Sequence, residues 1–181
     1  MTTPLQLLED AERTLELALR DYEQPGNSLH AIEFHKIRLQ AAMFGYEVVR
    51  DITSLWERQP PGFALPVALK GLVHKLYEYD KALSQRLIRR LVTLAVARSI
   101  SITAADIRSE RKKWKAELNR LSKWADLRDK TSGHYDDDIA EQVRLLKELE
   151  RDEVIKATYA LISFNLFVLK ALAAVGRGPS N

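Results

Sequence analysis

Apolar residues recur at three- and four-residue intervals along most of the chain, with Leu8, Leu15 and Leu19 the clearest in a first helix predicted from Leu5 to Tyr22. Gln24-Pro25-Gly26-Asn27 ends it. Ser28 is placed to cap a longer helix through Ile32, Phe34, Leu39, Met43, Tyr46 and Val49, which must stop at Gln59-Pro60-Pro61-Gly62. From Pro66 the positions Leu69, Leu72, Val73 and Leu76 predict a short helix, and Asp80 is placed to cap the next, carrying Leu83, Leu87, Leu91, Leu94 and Ala95. Thr103 caps a long helix reaching about Lys130. After Gly133 the run Asp136, Asp137, Asp138 sits where a helix N-terminus favours negative charge, and Val143, Leu146 and Leu149 continue that helix. A final helix runs from about Asp152 to Val175 and ends at Gly176. No stretch alternates with period two, and no repeat or low-complexity tract is present. The expectation is an all-α, single-domain helical bundle of six or seven helices over residues 1–181.

Composition narrows the class. A chain of 181 residues with 46% apolar and 29% charged residues suits one globular domain with a substantial core. The absence of cysteine excludes disulfides, thiolate zinc sites and a cysteine nucleophile, and fits a reducing cytosol. Met1-Thr2-Thr3-Pro4-Leu5 has no basic region followed by an apolar core, so no secretory signal and a cytoplasmic location are expected. The most apolar segment, Ala157 to Val175, is interrupted by Asn165 and Lys170, which favours a buried core helix over a bilayer span. Net charge is +3, but between Arg86 and Arg128 twelve Lys/Arg stand against four acidic residues, an excess of +8 that leaves −5 for the rest. Such polarity favours a polyanionic partner, because basic surfaces attract nucleic acid by steering and counterion release. The alternative is a solvated helix face.

Arg128-Asp129 followed by His134-Tyr135, with Gly133 between two helix patterns, is the stretch richest in chemistry. An arginine can hold a phosphoryl group bidentately at any physiological pH, and a histidine can take or give a proton near neutrality. Trp114, Leu118, Leu121, Ala125 and Arg128 fall at steps of four, three, four and three, which predicts one helix face with Arg128 continuing an apolar stripe. A guanidinium there needs an anionic partner or the edge of an interface, since an unpaired buried charge is too costly. Gly133 can adopt the left-handed conformation that turns the chain so that His134 returns toward Arg128, and Asp129 is placed to hold either of them. Arg108, Arg111, Lys112 and Lys115 occupy another part of the same helix and are expected to face solvent as nucleic-acid contacts.

These residues resemble the HEPN superfamily of small helical proteins, whose hallmark is Arg-x(4–6)-His, commonly with Asn, Asp or His directly after the arginine. Arg128, Asp129 and His134 match that pattern, and the motif's position before the last helices is similar. The resemblance implies a homodimer in which the arginine and histidine of two subunits meet and cut RNA without a metal or other cofactor. His134 would then assist attack by a ribose 2′-hydroxyl or protonate the leaving oxygen, Arg128 would stabilise charge on the phosphorus, and Asp129 would orient them. It also implies a toxin, with an antitoxin partner, or a phage-defence role. In one branch a modified tyrosine lies two residues after the histidine; Asp136 occupies that position here.

Other constellations carry less. His134 with Asp136, Asp137 and Asp138 resembles a hard-cation loop, but capping and the helix dipole account for carboxylates at a helix start. His30 and His35 are five apart, off the spacing that joins one helical face, and no metal site is expected from them. A structural role is expected of His74, beside Tyr77 and Tyr79, and Trp114 is expected in the core, with Trp124 open between packing and base stacking. Two further readings stand beside the ribonuclease: a non-catalytic helical module binding nucleic acid or an acidic protein through the Arg86 to Arg128 region, and a purely structural adaptor.

Overall fold

A computed structural model describes residues 3–24, 28–131 and 138–177, and its ordered elements are helices, with no strand among the described residues. The chain runs through α1 (Pro4–Glu23), α2 (Leu29–Arg58), α3 (Ala64–Ala82), a π-helical turn (Leu83–Leu87) and α4 (Ile88–Ala97). It continues through α5 (Ala104–Lys113), α6 (Lys115–Lys123), α7 (Ala125–Thr131), α8 (Ile139–Lys147) and α9 (Arg151–Arg177). The helices pack as one all-α bundle.

The helix starts follow cap chemistry. Ser28 accepts from the Ala31 amide at 3.0 Å, and Asp138 accepts from the Glu141 amide at 3.0 Å. Thr103 and Asp106 form a reciprocal box, in which the Asp106 carboxylate accepts from both the amide and the hydroxyl of Thr103. Those bonds from Thr103 hold the Asp106 carboxyl below its usual range. At the other end, α2 stops where Gln59 takes a left-handed conformation, φ 38°, ahead of the proline pair.

Two boundaries differ from the expectation. Asp80 caps nothing: it lies inside α3, which continues through the π turn into α4, and its carboxylate pairs with Arg111. Through that turn and into α4, Leu83, Leu87, Leu91 and Leu94 all stay buried. The long helix expected from Thr103 to Lys130 is instead three segments, interrupted at Trp114 and Trp124. At both tryptophans the backbone tightens to bonds three residues apart, from the Trp114 amide to the Arg111 carbonyl at 3.1 Å and from the Trp124 amide to the Leu121 carbonyl at 3.2 Å. The segment thereby bends around the core and buries Leu118, Leu121, Trp124 and Leu127. The described residues form the all-α bundle expected, with one expected pair of helices run together and one expected helix split.

The centre of the bundle is α9, which touches α2, α3, α4, α5 and α6 and buries Val154, Ala157, Leu161, Phe164, Val168, Leu172 and Val175. By length and composition it is apolar enough to cross a membrane; here it is the packed middle helix. Its one buried amide, Asn165, is satisfied twice: its Nδ2 donates to the Ala41 carbonyl at 3.0 Å and its Oδ1 accepts from the Tyr79 hydroxyl at 2.5 Å. The Tyr79 ring stacks on Phe44 with centroids 3.7 Å apart, and burial pushes the phenol's pKa up. α1 packs chiefly on α2, where Ala18 is buried and Asp21 pairs with Arg38.

Candidate functional site around Arg128

The short helix α7 packs against α3, and this contact positions Arg128. The break at Trp124 turns Leu127 inward, so Arg128 lies at the rim of the buried face with 31% of its side chain exposed. Its Nη2 meets the Glu78 carboxylate at 2.6 Å, its Nη1 donates to Asp129 Oδ1 at 2.6 Å, and its guanidinium carbon stands 5.8 Å from the Tyr77 ring centroid. The Asp129 hydrogen bond, followed by that to Glu78, raises the guanidinium pKa further, so the cation is permanent. The anionic partner that an arginine on this face requires is thus Glu78, fifty residues earlier in the chain. Charge on Arg128 is largely compensated within the molecule, and a phosphate reaching it must compete with two carboxylates.

Asp129 holds the arginine, in one of the two roles expected of it. Gly133, His134, Tyr135, Asp136 and Asp137 lie outside the described residues. Of the four basic residues expected on a solvent face, Arg108, Lys112 and Lys115 are exposed and have no ion-pair partner among the described residues. Arg111 is different. Its guanidinium grips Asp80, with contacts of 2.7 and 2.9 Å, and lies 5.7 Å from the Phe164 ring, so it ties α5 to α3 and α9 instead of facing solvent. The same compensation recurs across the basic region: Arg90 pairs with Glu33, Lys113 with Glu110 and Arg120 with Glu153.

Glu78 also lines an open cleft of about 500 Å³ between α2 and α3, together with Glu47, His74, Lys75, Tyr79 and Arg86. His74 Nδ1 is buried there without a hydrogen-bond partner. The sequence offered no signal for Glu78, because its contact with Arg128 is non-local; the only hint was the demand that a guanidinium on an apolar stripe find an anion. His30 and His35 border a smaller cavity of about 160 Å³ with Phe34, Arg98 and Gly176. Among the described residues no three His, Asp or Glu side chains are grouped as a metal would need. Trp124 is packed in the core, and Trp114 is half-buried beside it.

The class that these observations define is an all-helical bundle with a clamped surface arginine. No family model matches the chain, and no match was found among curated proteins or solved structures.

Proposed function

We propose that this chain is a metal-independent endoribonuclease of HEPN type, acting as a homodimer whose composite site uses Arg128 and His134 of both subunits. The observation that supports the reading is the fixed guanidinium: Glu78 and Asp129 hold Arg128 in one orientation at the end of α7, directly before the segment that carries His134. A preoriented cation costs little reorganisation when charge develops on a phosphorus. His134 is the proton carrier of the proposal, accepting from a ribose 2′-hydroxyl or donating to the leaving oxygen. Exposed Arg108, Lys112 and Lys115 supply the sequence-independent attraction for the RNA backbone. A toxin or phage-defence role in the cytoplasm, with an antitoxin partner, follows from the same reading.

The test is cleavage of a labelled RNA in excess chelator by the wild type, His134→Ala and Arg128→Ala. Cleavage by the wild type alone is expected; wild-type activity that survives His134→Ala overturns the catalytic assignment. A second reading, a non-catalytic RNA-binding bundle, is favoured by the two carboxylates that already occupy Arg128. It predicts salt-dependent RNA binding through Arg108, Lys112 and Lys115 with no cleavage by any form.

A further inference from the structure

Where α2, α4 and α9 meet they border a cavity of about 160 Å³ whose charged and titratable side chains are all basic among the described residues. α2 lines it with two neighbouring rows of one helix face, His30 with Phe34 and Ala31 with His35, each pair four residues apart. Leu94 of α4 and Val175 of α9 complete an apolar wall with Phe34. Arg98, just past the end of α4, brings the third basic group. No aspartate or glutamate is among the lining residues.

Helix C-termini attract cations, and both α4 and α9 end here, which accounts for Arg98. Its Nη2 donates to the Gly176 carbonyl at 3.4 Å, a long bond, and it has no ion-pair partner among the described residues. The two imidazoles are not used that way. Neither has a hydrogen bond among the described residues, and His35 Nδ1 is buried without a partner, an arrangement that native structures rarely leave unanswered. The His35 ring is held edge-on to Phe34, with centroids 5.1 Å apart and planes at 78°, so this nitrogen is fixed beside the apolar wall. An imidazole with its proton on that nitrogen is a donor.

We propose that this cavity binds a small organic carboxylate, its anionic head between His30, His35 and Arg98 and its apolar body, of about the size of a benzene ring, on Phe34, Leu94 and Val175. Volume supports the size: an apolar cavity of about 150 Å³ takes up benzene, and this one is as large with donors along one side. A carboxylate offers two oxygens to a guanidinium fork and two imidazoles. The first turn of α2, which carries His30 and Ala31, adds the positive end of a helix dipole. At Arg98 the ligand competes with one long bond to a carbonyl, whereas at Arg128 it would meet two carboxylates. A bare inorganic anion leaves the apolar wall uncovered, and an amine meets basic side chains. The cavity shares no residue with the Arg128 site, so the inference stands apart from the proposed function.

The experiment titrates the full chain with benzoate, benzyl alcohol, benzylamine and inorganic phosphate, followed by isothermal calorimetry and by amide shifts in a proton–nitrogen correlation spectrum. Benzoate is expected to bind saturably, with the largest shifts at Ala31, Leu94 and Gly176, and on the order of tenfold tighter than benzyl alcohol, the step one charge-assisted hydrogen bond supplies. Arg98→Gln should weaken it by a similar factor, as should His35→Phe, which keeps a ring against Phe34 and removes the donor. Ala31→Leu fills the cavity from a half-buried position and should abolish binding while keeping the far-UV spectrum. Benzyl alcohol or benzylamine binding as tightly as benzoate overturns the proposal, and so does phosphate binding more tightly. No saturable binding of millimolar benzoate, shifts centred instead on Arg108, Lys112 and Lys115, or an affinity unchanged by Ala31→Leu overturns it as well.

Discussion

Replacing Asn165 by alanine tests how the central helix is registered in the bundle. Asn165 is 2% exposed, and its amide bridges Tyr79 on α3 and the Ala41 carbonyl on α2. Truncation leaves the Tyr79 hydroxyl without a partner in a site where water has little access, at about 1–3 kcal/mol. The Ala41 carbonyl keeps its bond within α2 and loses only the second, about 0.5 kcal/mol. A void of a few tens of Å³ adds about 1 kcal/mol at roughly 24 cal/mol per Å³. The sum is about 3 kcal/mol, or a fall in Tm of roughly 6–12 °C for a chain of this size. Urea and thermal unfolding followed by far-UV circular dichroism measure it. Tyr79→Phe keeps the ring on Phe44 and removes only the hydroxyl, for about 1–2 kcal/mol. The double variant must cost less than the two singles together, since both remove the same bond. A loss below about 0.5 kcal/mol for Asn165→Ala, or strict additivity, would refute the bridge.

The same phenol sets an alkaline limit. Its folded pKa is raised above the ordinary 10.0, so the stability it contributes is fully present below pH 10 and is lost as pH rises beyond it, approaching about 1.4 kcal/mol per pH unit; Tyr79→Phe should flatten that part of a stability-against-pH curve, and an unchanged slope would assign it to other groups. Thr103→Ala removes the cap of α5 and should cost about 1 kcal/mol in urea unfolding. Because Asp106 is held below its ordinary 3.8, its contribution is present above that pH and lost as pH falls through the depressed value, so Thr103→Ala should also weaken the acid dependence. Glu78→Gln should leave Tm within about 2 °C of the wild type, as a half-exposed ion pair at the rim of the fold stabilises little and Asp129 still partners Arg128. It should nonetheless tighten RNA binding in a filter or anisotropy assay, because the guanidinium loses a competing carboxylate; unchanged affinity would mean that Arg128 does not meet the nucleic acid.

Helix placement was legible where a local rule decides it. Ser28 and Thr103 announced helix starts, and both caps form, because a side chain two or three residues from an orphan amide needs no tertiary partner to find it. At Asp80 and at the breaks at Trp114 and Trp124 local pattern misleads for one reason: each is settled by a distant contact. Asp80 pairs its carboxylate with Arg111, and at the tryptophans the chain bends so that Trp124 joins the core and Trp114 packs against it. Arg128 was singled out by chemistry and spacing, and its need for an anion was argued from cost; that the anion is Glu78 was not readable.

By itself the sequence determined an all-helical chain, an apolar final helix and a run of basic residues from Arg86 to Arg128, since period, cap and side-chain chemistry are carried by neighbours within one or two turns. Tertiary structure alone decided which charges stay available. Arg111 and Arg128 look alike as members of one basic run, but folding brings Asp80 to one and Glu78 to the other, while Arg86, Arg89, Arg108, Lys112 and Lys115 are left facing solvent. An ion pair depends on where two helices meet, and that is set by the burial of their apolar faces, not by the charges themselves.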